Sequence, residues 1–92
     1  MLKFAPSASV LHILADEPDG VTISELTKIL YPEAVGTRQF KDAVKIAGGK
    51  LADCVRDNLA EPIGFKQGKT LFSVTELGAA IAVRHRRAGW DL

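Results

Sequence analysis

Residues 62–80 read PIGFKQGKTLFSVTELGAA and contain two short apolar runs on either side of a glycine turn that is flanked by lysines. This spacing predicts a β-hairpin, because Gly68 can adopt the positive φ that a tight turn after Lys66 and Gln67 requires. Alternation along the two strands places four apolar side chains on one face: Ile63, Phe65, Phe72 and Val74. Lys66 and Lys69 then flank the exposed tip of a basic hairpin.

One helix follows the hairpin and a longer one precedes it. Thr75 is expected to cap the last helix, in which Leu77 and Ile81 point inward. The long amphipathic segment runs from Thr37, a second expected cap, to Leu59. Its inward side chains recur at helical spacing: Phe40, Val44, Ala47, Leu51 and Val55. Three cations, two small residues and one acid lie opposite: Arg38, Lys45, Arg56, Gly49, Ala52 and Asp42.

Two adjacent glycines interrupt the middle of this long segment. Gly48 and Gly49 each lower helix stability by about 1 kcal/mol relative to alanine. The apolar period continues across the pair, which favours one helix with a weak middle. The alternative is a break, with a separate helix over residues 50–59 that presents Lys50 and Arg56.

The first third of the chain predicts two shorter helices. Ser7 or Ser9 can cap the first, whose buried side chains are Val10, Leu11, Ile13 and Leu14. Residues 21–23 are a short strand candidate. Ser24 is expected to start the second helix, which ends at Tyr31 because Pro32 cannot continue it and disfavours helix in the residue before.

Composition indicates one small globular domain over residues 1–92, mainly α with a small β-hairpin (α+β). Of the 92 residues, 47% are apolar and 25% are charged. The single cysteine, Cys54, excludes an internal disulfide and is expected to be a small buried hydrophobic residue. His12 and His85 lie too far apart in sequence for a metal-ligand motif. We expect no metal, no cofactor and no enzymatic activity.

Targeting and membrane signals are absent from the sequence. The opening residues 1–6 are too short, and too soon broken by proline, to be a signal peptide. No apolar run approaches the ~20 residues that a membrane span needs. The sequence therefore predicts a cytoplasmic protein without a membrane partner.

Charge is distributed unevenly along the chain, although the net charge is only +1. Residues 1–37 carry two lysines against five acids, a net −3, whereas residues 38–92 carry ten Lys or Arg against six acids, a net +4. The long helix and the hairpin both lie in the basic part. A helix with an exposed basic face, followed by a hairpin with a basic tip, suits the grooves and phosphates of duplex DNA.

The order of elements and two motifs resemble prokaryotic winged-helix regulators. TISELTKILYP at residues 22–32 resembles the start of their helix-turn-helix. LFSVTELG at residues 71–78 is similar to their closing strand and the Leu-Thr-x-x-Gly entry to the final helix, as in MarR-like and PadR-like proteins, with Val74 standing for the leucine. The resemblance covers about residues 9–84. A longer turn between the second and third helices and the glycine pair depart from the pattern.

The resemblance implies a winged-helix DNA-binding protein without an effector domain: a small transcriptional regulator, or a phage or plasmid accessory protein. The helix from Thr37 would lie in the major groove of double-stranded DNA, and residues 66–70 would form the wing on the backbone. The residues expected to contact DNA are Thr37, Arg38, Gln39, Lys41, Lys45, Lys66, Gln67 and Lys69.

Two further expectations concern protein partners. The last helix and Trp90 supply apolar surface from which a homodimer could form. The alternative function is a winged-helix protein-protein interaction module that does not bind DNA, which the near-neutral net charge favours. Salt dependence of duplex binding separates the two, since contacts from several Lys and Arg side chains weaken steeply with salt.

Overall fold

The computed structural model describes residues 7–87, which form four α-helices and one two-stranded antiparallel hairpin in a mostly helical α+β arrangement. The chain order is α1 (Ser7–Asp16), α2 (Ile23–Leu30), a short 3-10 helix (Pro32–Ala34), α3 (Phe40–Arg56), β1 (Ala60–Lys66), β2 (Lys69–Val74) and α4 (Glu76–Arg87). Trp90, invoked above for a homodimer, lies outside the described residues.

The core lies where α1, α2, α3 and the base of the hairpin meet. Val10, Leu14 and Leu26 are fully buried there, and Leu51 of α3 is 2% exposed. The apolar spacing of the first helix thus predicted its buried face correctly for Val10, Leu11 and Leu14, while Ile13 is half-buried. A smaller cluster of Tyr31, Ala34 and Ala43 closes the far end of α2.

Helix α2 begins one residue earlier than expected, at Ile23. The cap is Thr22, whose Oγ1 accepts the Glu25 backbone N–H at 3.2 Å, while Glu25 Oε1 accepts the Thr22 backbone N–H at 3.0 Å. This reciprocal capping box satisfies two free donors of the helix start, so Ser24 falls inside the helix. The expected strand at residues 21–23 is reduced to one bridge, between Val21 and Phe72. The expected end of α2 before Pro32 is confirmed.

Helix α3 begins at Phe40, three residues later than expected. Thr37 does not cap it: its hydroxyl donates to the Ala34 carbonyl at 2.7 Å and accepts the Gln39 backbone N–H at 3.2 Å. Those bonds close the turn after the 3-10 helix, and a turn is where short hydroxyl side chains compete with helix formation. Arg38 and Gln39 therefore precede the helix.

Helix α3 is continuous across Gly48 and Gly49, which confirms the favoured prediction of one helix, and the alternative of a break there is wrong. The helix ends at Arg56, before the expected Leu59, because Asn58 takes a positive φ of 61° that no helix can continue. The predicted burial is only partly right. Ala47 and Leu51 are buried, but Phe40 and Val44 are half-buried and Val55 is 36% exposed.

The buried face of α3 differs from the expected one and consists mainly of small residues. Ala43, Ala47 and Cys54 lie inward with Leu51 and Lys50. Small side chains let α1 and α2 approach α3 closely, which leaves the larger Val44 and Val55 at the margin beside the hairpin. The expectation that Cys54 is a buried hydrophobic residue is confirmed.

The hairpin turns at Gln67 and Gly68, which both have positive φ (51° and 77°), and the Gly68 prediction is confirmed. Such a two-residue turn matches the right-handed twist of the strands. Phe65 pairs with Thr70 next to this turn, and a bulge between Pro62 and Gly64 then shifts the register, so that Phe72 pairs with Pro62 instead of Ile63. Phe65 is 77% exposed and Ile63 47%, so neither packs into the core as expected.

Helix α4 starts as expected, since Thr75 Oγ1 accepts the Gly78 backbone N–H at 3.0 Å and donates to the Asn58 carbonyl at 2.7 Å. Its inward residues, however, are Gly78 and Ala82, while Leu77 is 48% exposed. A side chain at Gly78 would collide with the Leu59 carbonyl, so the helix presents its smallest residue to that backbone.

Candidate nucleic-acid interface

The hairpin tip is fixed against the first turn of α2. Lys66 Nζ lies 3.0 Å from Glu25 Oε2, and Lys69 Nζ donates to Ser24 Oγ at 3.2 Å. The Thr22 backbone N–H, and after it the Lys66 ammonium, lower the pKa of the Glu25 carboxyl by stabilising its charged form. Two contacts to one helix turn therefore hold both tip lysines in place, although both remain exposed.

A polar cleft of about 260 Å³ lies between the tip and α2. Three of its lining residues are lysines, and Glu25 is the one acid: Thr22, Ser24, Glu25, Lys28, Lys66, Gln67 and Lys69. Ser24 and Lys28 were not among the candidate interface residues predicted from the sequence. Their spacing of four residues puts them one turn apart on α2, and the capping box Thr22–Glu25 was the signal that could have found this helix start.

A second group of cations lies on and before the first half of α3. Lys41 and Lys45 are exposed on the helix, and Arg38 and Gln39 are exposed in the turn that leads into it. Within residues 7–87, none of the three cations Arg38, Lys41 and Lys45 forms an ion pair. Arg56, at the other end of α3, instead faces Asp53 and Asp57 at 3.3 and 3.4 Å. The uncompensated positive charge of α3 is therefore in its first half.

The two groups of cations belong to elements that line a common cleft. Val44 of α3 and Lys69 of β2 line one cleft of about 300 Å³, together with Phe72 and Ile23. Lys45 follows Val44 directly, and Lys41 lies one helical turn before it. Helix α3, which carries Lys41 and Lys45, thus lies beside the hairpin that carries Lys66 and Lys69. Thr37 lies in the turn before α3, where its hydroxyl makes two hydrogen bonds within that turn.

The last turns of α4 hold a further set of titratable groups, packed on α1. The rings of His12 and His85 stack with centroids 5.4 Å apart, and His12 Nε2 lies 3.2 Å from His85 Nδ1. Burial, and after it the nearby Arg86, lowers the pKa of His12. Arg86 is paired with Asp16 of α1, and Arg84 and Arg87 of the same turns are exposed.

The described residues were also compared with the features of metal sites, reactive thiols and membrane-spanning helices. In residues 7–87, no group of three or more His, Cys, Asp and Glu side chains is arranged to hold a metal ion. Burial raises the pKa of the Cys54 thiol, which disfavours the reactive thiolate. No described helix is both long enough and apolar enough to cross a membrane.

Comparison of the chain with protein-family models, with curated protein sequences and with solved structures gave no match.

Proposed function

We propose that this chain is a winged-helix DNA-binding protein, in which α3 enters the major groove and the hairpin is the wing. The element order α1, α2, α3, hairpin, α4 supports this fold, as does the Val21 bridge to Phe72, which adds a minimal third strand to the hairpin. The recognition helix then begins at Phe40, and Arg38 and Gln39 belong to the turn that leads into it.

The observation that carries the proposal is that two elements with cationic side chains, α3 and the hairpin, border one cleft. Lys41 and Lys45 have no acidic partner among residues 7–87, and Lys69 is bonded only to a neutral hydroxyl. Uncompensated cations on a helix and on a neighbouring hairpin are the groups that contact phosphates on either side of a groove of duplex DNA.

Each candidate residue has a distinct role in the proposal. Lys41 and Lys45 contact phosphates or guanine edges in the major groove, and Arg38 and Gln39 reach the edge of the site, where Gln39 suits adenine. Lys66, Gln67 and Lys69 contact neighbouring phosphates at the wing, and Lys28 and Ser24 extend that contact across the polar cleft. Thr37 orders the turn through its two hydrogen bonds.

Salt-dependent duplex binding tests the proposal. Fluorescence anisotropy with a labelled mixed-sequence duplex of about 20 base pairs should show affinity that falls steeply between about 50 and 200 mM salt. The double variant Lys66→Ala/Lys69→Ala should flatten the salt slope by about 2 units, because two phosphate contacts are lost. Arg84→Ala/Arg87→Ala, which removes two exposed cations of α4, is the matched control and should bind like the parent.

The proposal fails if the parent protein binds no duplex, or binds with an affinity that salt does not change. A winged-helix module for protein contact would then take its place. Equal losses in the wing variant and the α4 control would show nonspecific charge attraction instead of a defined interface. Circular dichroism of each variant checks that the helices are retained.

A further inference from the structure

An apolar groove runs between α3 and the hairpin, and it is distinct from the polar cleft at the wing tip. It consists of two clefts of about 300 and 270 Å³ that share Ile23 and Phe72. The α3 wall of this groove is almost entirely apolar: Val44, Gly48, Leu51, Ala52 and Val55. From Val44 to Val55 the wall spans eleven residues of helix, about 16 Å at 1.5 Å per residue.

Large apolar side chains remain exposed along this groove and at its hairpin end. Val55 is 36% exposed along the groove. Phe65, the most exposed large apolar side chain in residues 7–87 at 77%, is the cross-strand partner of Thr70, which lines the groove. Phe65 therefore extends the apolar surface at the hairpin end. Exposed apolar side chains that cluster beside a groove mark a contact surface more than scattered single ones do.

Positive charge flanks the groove, and none of its lining residues is acidic. On one side, Lys41 and Lys45 lie three positions before Val44 and Gly48, which places each lysine next to a groove residue on the helix surface. On the other side, Lys69 itself lines the groove. An occupant of this surface needs apolar side chains for the floor and negative charge for both edges.

We propose that the α3–hairpin groove binds an amphipathic acidic segment of a partner protein, about three helical turns long. Apolar side chains at positions i, i+3 and i+7 of that segment lie on Phe72 and Val44, and flanking Asp or Glu side chains pair with Lys45 and Lys69. This activity goes beyond DNA binding. Because Lys45 and Lys69 are shared with the proposed DNA interface, the acidic segment and duplex DNA compete for the protein.

Peptide selection tests the groove without assuming any DNA activity. A phage library of random peptides about 15 residues long, enough for four helical turns, is selected on the parent protein. It is counter-selected on Ala52→Phe, which places a ring in the groove from an exposed helix position. Ala80→Phe, the same change at an exposed position of α4, is the matched control. Enriched sequences are synthesised with a fluorophore and titrated by anisotropy.

The expected peptides carry apolar residues at helical spacing, flanked by Asp or Glu. Their affinity should fall about tenfold or more with Ala52→Phe, fall again with Lys45→Glu and Lys69→Glu, and stay unchanged with Ala80→Phe and Arg84→Glu. A labelled duplex should displace them. Failure of displacement alone would contradict the shared use of Lys45 and Lys69.

Three results would overturn the assignment of this groove. Selection could yield no peptide that Ala52→Phe weakens, or only peptides without acidic residues. Sedimentation could show a parent dimer that Ala52→Phe dissociates, which would assign the groove to a second copy of the chain. Ala52→Phe could weaken duplex binding with no peptide depending on it, which would make the groove part of the DNA surface. Absence of duplex binding, by contrast, would leave peptide binding intact.

Discussion

Helices α3 and α4 both contain glycine, but in different surroundings. Gly78 of α4 faces the Leu59 carbonyl so closely that an added Cβ would overlap it. Gly48 of α3 has only Ile23 at 3.9 Å, and Gly49 has no atom within 4 Å of an added Cβ. Packing therefore requires glycine in α4 but not in α3, where both glycines carry a helix-propensity cost that the fold of residues 7–87 does not explain.

Replacement of Gly78 by alanine should have the largest effect on stability. The new methyl group cannot be accommodated unless α4 moves away from Leu59, which would also break the hydrogen bond from the Thr75 backbone N–H to the Leu59 carbonyl. We expect a loss of about 3 kcal/mol in the free energy of unfolding, measured by urea denaturation. Gly49→Ala is the matched control. A Gly78→Ala variant as stable as the parent would contradict the close approach of α4 to Leu59.

The N-termini of α3 and α4 also differ, because only α4 has a side-chain cap. Thr75 caps α4 through its hydroxyl, whereas Gln39 at the start of α3 makes no side-chain cap hydrogen bond. Thr75→Ala should lower the free energy of unfolding by about 1 kcal/mol, and Thr75→Ser should restore most of it because the hydroxyl returns. Gln39→Ala should change stability by less than about 0.5 kcal/mol. Equal losses at the two positions would erase this difference between the helices.

Alanine in place of the α3 glycines should stabilise the protein. Each change removes backbone freedom from the unfolded chain and adds a good helix former, so we expect a gain of up to about 1 kcal/mol for Gly49→Ala. Gly48→Ala should gain a similar amount, since its methyl group would make ordinary contact with Ile23. Thermal melting should show a Tm rise of several degrees for each. A fall in Tm would mean that the α3 glycines serve the fold after all.

Sequence reasoning predicted elements well and helix starts poorly, for a physical reason. Apolar spacing is repeated over many residues, so α1, α3 and the hairpin were found despite local errors. A helix start depends on which hydroxyl reaches which backbone N–H. Ser24 and Thr37 have suitable side chains, yet Thr22 caps α2 and Thr37 closes a turn. Only the three-dimensional path of the chain decides between such candidates.

The candidate interface was predictable in its charges but not in its contacts. Lys41, Lys45, Lys66 and Lys69 are exposed as expected. The bonds from the tip lysines to Ser24 and Glu25 join residues more than forty positions apart, so no local pattern could reveal them. The pairing of Phe72 with Pro62 instead of Ile63 depends on the bulge between Pro62 and Gly64, which alternation along the strand cannot anticipate.

Acid should weaken α4 more than α3, because α4 is held to α1 partly by the His12–His85 pair. Burial, Arg86 and His85 all lower the pKa of His12, while Asp16 opposes them. A pKa that is lower in the folded state gives stability that is complete above the unfolded pKa of about 6.5 and is lost as the pH falls through the folded value. Melting temperature should therefore drop between about pH 7.5 and pH 5.5.

A variant at position 12 separates this effect from general acid sensitivity. His12→Phe keeps an aromatic ring against His85 and removes the buried group that must gain a proton. The variant should lose less stability than the parent over the same pH interval, whatever its stability at pH 7.5. Parallel pH profiles for the two proteins would show that His12 does not couple α4 to pH. The remaining acid response would then arise from groups other than His12.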